Sequence, residues 1–287
     1  MFENNWRIVK TAVIDFIDDD ALTRGAAISF YTVTTIGPLL LIVVSIAGLA
    51  FGRQAAEGAI VAQLSGMMGP QTAEFLQSIL SNASSKTTGV LSMLVGVGTL
   101  VITASGVFGE MQSALNTIWK VETKATGVSG LLRARAISFG LVVVLGFLLM
   151  VSLVVSAALT ALGTYLTQAL PIGSFIISIL NTGISFMLIA ILFGAIFKVL
   201  PDRHLEWHDV VLGALITSFF FSVGKFLIAL YLGGSSIATT YGAAGSLILL
   251  LLWVYYSVQI FLLGAEFTKS FSNIHGSHKS QPIDGKA

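Results

Sequence analysis

The stretch VVLGALITSFFFSVGKFLIALYLGGSSIATTYGAAGSLILLLLWVYYSVQIFLLGA, residues 210–265, decides the fold. It carries a single charged residue, Lys225. A bilayer core about 30 Å thick needs roughly 20 apolar residues at about 1.5 Å rise per helical residue. The stretch is long enough for two crossings, with Gly233-Gly234-Ser235-Ser236 as the turn between them. Asp, Glu, Lys and Arg are equally absent from 25–52, 87–109 and 136–197.

The whole chain follows this pattern. It is 55% hydrophobic and 10% charged, with a mean hydropathy of +0.90. A soluble domain carries about a quarter charged residues, so this chain has too few to cover its apolar surface in water. Within lipid, every backbone polar group must be paired internally, which leaves helices or a closed barrel. Barrel strands alternate polar and apolar residues; Leu39–Val44 and Leu247–Leu252 do not. The fold predicted is therefore all-α, a polytopic six-transmembrane-helix bundle with short amphipathic interfacial helices.

The spans fall at about 26–52, 87–109, 136–167, 174–197, 210–232 and 243–265. They make one transmembrane domain over 26–266, between a cytoplasmic amphipathic segment (1–25) and a cytoplasmic polar tail (267–287). Asp18-Asp19-Asp20 before the first apolar run speaks against a signal peptide. With the N-terminus inside, twelve of the fifteen Lys and Arg residues fall in cytoplasmic segments, and only Arg53 and Lys86 fall outside. Basic connections stay cytoplasmic, so both termini are expected there.

Trp6, Val9, Val13 and Phe16 recur at helical spacing, the pattern of a helix lying on the inner leaflet. Residues 110–121 continue the second span and bring Trp119 near the headgroups. The connection 53–86, with Gly66, Gly69 and Pro70 breaking two short helical patches, is long enough to cap the outer mouth of the bundle.

Helical spacing gathers the polar and small residues of each span into stripes. The second span has Thr99, Thr103, Gly106 and Glu110; the fifth has Ser218, Ser222 and Lys225; the sixth has Tyr256, Gln259 and Glu266. Small residues let helices approach closely, so packing alone explains such stripes; a polar path between helices is the functional reading. Pro38 lacks an N–H, which frees the carbonyl of Thr34 and predicts a kink. Ser29, Tyr31, Thr32, Thr34 and Thr35 precede it and offer hydroxyls to freed backbone groups. A broken helix of this kind lines the substrate site in transporters; a static kink is the structural alternative.

Lys225 lies about 15 residues into its span, roughly 22 Å deep. An unpaired lysine at mid-bilayer costs a few kcal/mol. Snorkelling toward the outer headgroups relieves that cost; an inward-facing ammonium would instead bind an anionic headgroup or carboxylate, or carry a proton. Glu110 and Glu266, at cytoplasmic helix ends, have Arg133, Arg135 and Lys269 as prospective partners. His204 and His208 have zinc-like spacing but sit in a short loop without an evident third ligand. The chain has no Cys and a net charge of +1, which exclude a thiolate metal site and a general nucleic-acid binder. No catalytic constellation, metal or cofactor is expected.

The run Arg24–Tyr31 followed by Pro38-Leu39-Leu40 resembles the opening of the YihY/BrkB family of bacterial inner-membrane proteins. The later blocks resemble it too: Gly106–Glu110 with Ala114–Trp119; Pro201, Trp207, Asp209, Gly213-Ala214, Lys225 and Tyr231; and Tyr241–Ser246, Leu252–Tyr256 and Gly264–Glu266. The blocks cover about 20–268. The resemblance implies six transmembrane helices in a bacterial cytoplasmic membrane and a link to envelope lipid traffic. An older family label, ribonuclease BN, has no counterpart here in a histidine-rich metal motif or a basic face.

Residues and resemblance together predict a transporter or flippase of an anionic lipid or small envelope metabolite. Its path would be lined by Pro38, Thr35, Thr99, Thr103, Glu110, Ser218, Ser222, Lys225, Tyr256, Gln259 and Glu266. The alternative is a non-transporting scaffold in envelope assembly, docking through Trp6–Phe16 and 110–135. The expected partners are the lipid bilayer, the anionic substrate and, compatible with the pattern, further copies of the chain.

Overall fold

The computed structural model describes residues 2–85, 90–121, 173–233 and 243–276, with scattered positions between 140 and 158. The described residues form α1 (Phe2–Asp18), α2 (Ala21–Phe51), α3 (Arg53–Met68), α4 (Pro70–Ser85), α5 (Val90–Ile118), α6 (Gly173–Val199), α7 (Trp207–Gly233) and α8 (Ala243–Ile274), and no strand. Four helical stretches among them are long and apolar enough to cross a membrane: Ala21–Ser45, Ile177–Val199, Trp207–Ile228 and Ala244–Ile274. Helix α5 covers the second expected span. The third, 136–167, lies mostly outside the described residues; the positions described between 140 and 158 are helical. The fold is an all-helical membrane fold.

The surface is the reverse of a soluble protein's. Phe175, Phe219, Phe226 and Leu230 on α6 and α7 are each more than half exposed, which is favourable only against lipid tails. Inside the bundle, α8 packs on α1, α2 and α7 and forms the spine. The rings of Phe193, Phe197 and Phe261 stack with centroids 5.4–6.3 Å apart and join α6 to α8.

Residues 53–85 form a helical hairpin, with Gly52 (φ +82°) and Gly69 (φ +87°) in the left-handed backbone region at its two bends. It does more than cover a mouth. Ile60, Leu76 and Leu80 are buried together with Leu40 and Val43 of α2 and Leu250 and Val254 of α8. A side-chain carbon on Gly37, in the middle of α2, would lie 3.4 Å from an Ile79 methyl group. The apolar face of the hairpin is thus packed on the spans themselves.

Four local points add detail to the expectations. Helix α2 is continuous through Pro38, and the nearby hydroxyls do not turn to the freed carbonyl of Thr34. Ser29 donates to the Gly25 carbonyl, Thr32 to that of Ile28, and Thr34 and Thr35 to that of Tyr31; each closes on its own turn because that carbonyl is nearest. Trp119 is buried against the protein, where the Arg203 guanidinium covers its ring at 5.7 Å and donates to its carbonyl at 2.9 Å. On α1, Trp6, Val9 and Val13 are exposed, but Phe16 turns inward to the core. Helix α8 continues to Ile274 with Thr268, Lys269, Ser270 and Ser272 buried, so the packed chain extends beyond 266.

Candidate functional site

Helices α6 and α7 are antiparallel neighbours joined by the short loop 200–206. Between them runs a groove with a cavity volume of about 710 Å³, within the range of small-ligand sites. Phe186 and Phe219 line one end, Ser178 and Phe226 the other, with Thr182 and Ser222 between. The lining is almost wholly apolar, its polar groups being the hydroxyls of Ser178, Thr182 and Ser222. The groove lies in the half of the helices remote from the loop.

Lys225 is not one of the lining side chains; it lies three residues beyond Ser222 on α7 and next in the chain to Phe226 at the remote end. It is part-buried, and none of the hydrogen bonds or ion pairs among the described residues includes it. Its chain neighbour Gly224 is pressed against α8: a side-chain carbon there would lie 2.8 Å from the Tyr256 hydroxyl and closer still to Ile260. Tyr256 therefore stands at the level of Lys225.

A second polar assembly occupies the opposite end of the bundle. The Lys269 ammonium lies 2.6 Å from an Asp15 oxygen, 3.1 Å from Glu266 Oε2 and 3.8 Å from Asp19 Oδ2. Lys120 pairs with the other Asp19 oxygen. Glu266 is fully buried, and Asp19 and Lys269 nearly so. Beside this cluster, Asp209 is buried and accepts the Ser272 hydroxyl at 2.6 Å. Asn116 holds the 200–206 loop by two reciprocal bonds to Asp202, 2.8 Å from its amide nitrogen and 2.9 Å to its oxygen. Lys198 donates to the Leu205 carbonyl and covers the Trp207 ring at 5.2 Å.

The residues singled out from sequence fall into separate sets. Ser222 lines the groove, whereas Lys225 and Tyr256 are not among its lining residues and Tyr256 packs on Gly224. Ser218 is fully buried and donates to the Ala214 carbonyl at 2.7 Å. Gln259 faces α2, where its amide fills the space over Gly25 and reaches the Leu22 carbonyl at 3.4 Å. Pro38 is part-buried in α2 and Thr35 is buried there. On α5, Thr99 is exposed, Thr103 and Glu110 are part-buried, and Thr103 donates to the Thr99 carbonyl. Glu266 pairs with Lys269 as expected; Arg133 and Arg135 lie outside the described residues. His204 and His208 join no group of three metal-ligating side chains among the described residues.

The contributions of Asp15, Asp19 and Lys120 were not legible beforehand. The acidic run 18–20 marked only the start of the first span. The one available signal was Lys269 three residues after Glu266, one helical turn on.

The pattern of the family described as virulence factor BrkB matches residues 12–285. The chain belongs to this BrkB family. It is similar to a UPF0761 membrane protein of Kangiella koreensis, 25% identical over 91% of this chain and 64% of the relative. For one of Legionella pneumophila the identity is 27% over 97% and 65%, and for one of Pseudoalteromonas translucida it is 26% over 89% and 83%. The chain spans less than two thirds of the length of the first of these relatives. No solved structure matches it. Several residues that carry the BrkB resemblance build the polar end: Asn116, Trp119, Asp209 and Glu266 are all buried there.

Proposed function

We propose that this membrane protein is a transporter or flippase of an anionic lipid or small anionic envelope metabolite. It would work in the bacterial cytoplasmic membrane as a six-span bundle with both termini inside. The observation that carries the reading is the apolar groove between α6 and α7, whose lining Phe226 follows directly on a lysine without a partner among the described residues. An acyl chain fits the phenylalanine-lined groove, and the Lys225 ammonium offsets the headgroup charge. In the absence of a counter-charge, burying that ammonium is costly; an anionic headgroup at the same depth supplies one. The reading requires no catalytic group, metal or cofactor, and no nucleic acid.

The test is flux of a fluorescent anionic lipid in proteoliposomes. Lys225→Met should lower it at least tenfold at unchanged folding, Lys225→Arg should retain most of it, and a zwitterionic analogue should move slowly in both. Equal flux in Lys225→Met and the unchanged chain would remove Lys225 from the mechanism.

The scaffold reading draws on α1, whose Trp6 and Ile17 are 69% and 65% exposed. Recovery of a stoichiometric protein partner, lost in Trp6→Asp, with no lipid flux, would favour it.

A further inference from the structure

Asp19 and Glu266 approach the same ammonium from different segments, Asp19 Oδ2 at 3.8 Å and Glu266 Oε2 at 3.1 Å from Lys269 Nζ. Each leaves one oxygen, Asp19 Oδ2 and Glu266 Oε1, buried and without a hydrogen-bond partner among the described residues. Glu266 has no exposed surface and Asp19 is 7% exposed. Two ionised carboxylates gathered at one ammonium repel, and an unpartnered acceptor buried from water loses a hydrogen bond's worth of free energy. A proton between two carboxyl groups removes both penalties at once, because the protonated group becomes a donor to the other.

We propose that Asp19 and Glu266 form a proton-binding site that holds one proton between them while α1 is docked on α8. The remaining charges around the pair are named by the geometry. From α1, Asp15 lies against Lys269. From the end of α5, Lys120 pairs with Asp19 and is mostly exposed. From α2, Arg24 donates to the Asp19 backbone carbonyl at 3.2 Å rather than to a carboxylate. Three carboxylates, those of Asp15, Asp19 and Glu266, thus face two ammonium groups, those of Lys120 and Lys269. The excess negative charge is the one the proton cancels.

The site also links protonation to structure. Asp19 follows the last turn of α1, whose Ile8 and Ala12 are buried in the same docked face. When the proton leaves to water, three carboxylates face the two ammonium groups and the α1–α8 contact weakens. Docking is therefore favoured while the proton is held and weakens when it is lost. This inference concerns the resting protein and is independent of what the groove carries.

The test is infrared difference spectroscopy of the purified full chain in nanodiscs, reading the carbonyl stretch of a protonated carboxylic acid during a pH titration from acid to alkaline. The expected band persists at neutral pH, disappears on alkalinisation, and is missing from both Asp19→Asn and Glu266→Gln but present in Glu110→Gln. The titration of the unchanged chain needs no variant to fold. A band absent at neutral pH, or one retained in Glu266→Gln, overturns the proposal. A band abolished by sodium ions at constant pH also overturns it, in favour of a metal-cation site. As an independent reading, Ala12→Cys in this cysteine-free chain should react with a maleimide several-fold faster, beyond the reagent's own pH dependence, once the band has gone. In the Glu266→Gln background that excess should vanish.

Discussion

The side chain of Thr217 fills the space that a methyl group on Gly264 would occupy, its Cγ2 and Cβ lying 2.7 and 2.8 Å from that position. One turn away Thr268 does the same to Gly213. Each helix thus presents a threonine to the other's glycine, and both hydroxyls donate back to their own helix, Thr217 to Gly213 and Thr268 to Gly264. The exchange brings the α7 and α8 backbones together without leaving a polar group unpaired in lipid. It also fixes the register that places Gly224, and with it Lys225, at the level of Tyr256.

Gly264→Ala forces that seam apart. Overpacking a tight contact costs about 1–3 kcal/mol. Thermal unfolding in detergent should show a loss of this size, and Thr217→Gly in the same chain should recover part of it. A neutral Gly264→Ala would mean that the seam yields easily.

Ser222→Phe fills the groove without touching Lys225. Anionic-lipid flux should fall several-fold while unfolding temperature stays near that of the unchanged chain. Undiminished flux would place the lipid path elsewhere on the bundle.

Asn116→Leu removes both bonds to Asp202 and leaves the loop's backbone N–H without its acceptor. Loss of such a buried partner costs about 1–3 kcal/mol. Hydrogen exchange at residues 200–206 should accelerate at least tenfold, with exchange in α2 unchanged.

Asp209→Ala removes the buried acceptor of the Ser272 hydroxyl and a carboxylate in the first turn of α7. Both the hydrogen bond and the favourable interaction with the helix N-terminus are lost. A destabilisation of about 1–3 kcal/mol is expected, and Asp209→Asn, which keeps an acceptor, should lose less. Equal unfolding temperatures for the Ala and Asn variants would show that hydrogen bonding there is not what matters.

Much of the fold could be read from residue order. The charge-free stretches located α2, α5, α6, α7 and α8, because an apolar run of that length has one favourable environment. The Gly-Pro break at 69–70 located the hairpin. What residue order left open is how the stripes face one another. Ser218 and Ser222 share a helical face four residues apart, yet one is sealed inside and the other lines the groove. Tyr256 and Gln259 are neighbours on α8, yet one turns to α7 and the other to α2. A helix of apolar residues has little amphipathic signal to say which side meets a partner and which meets lipid.

The sequence by itself determined that this is a helical membrane protein with a lone lysine in an apolar stretch, since length and charge are local properties of a chain facing a bilayer of fixed thickness. Only the packing of the helices settles that Asp15, Asp19, Lys120, Glu266 and Lys269 form one cluster around the buried Glu266, and that the serines of α7 divide between core and groove. Those relations join residues up to about 250 positions apart, and only the close packing of α1, α5, α7 and α8 brings them within reach.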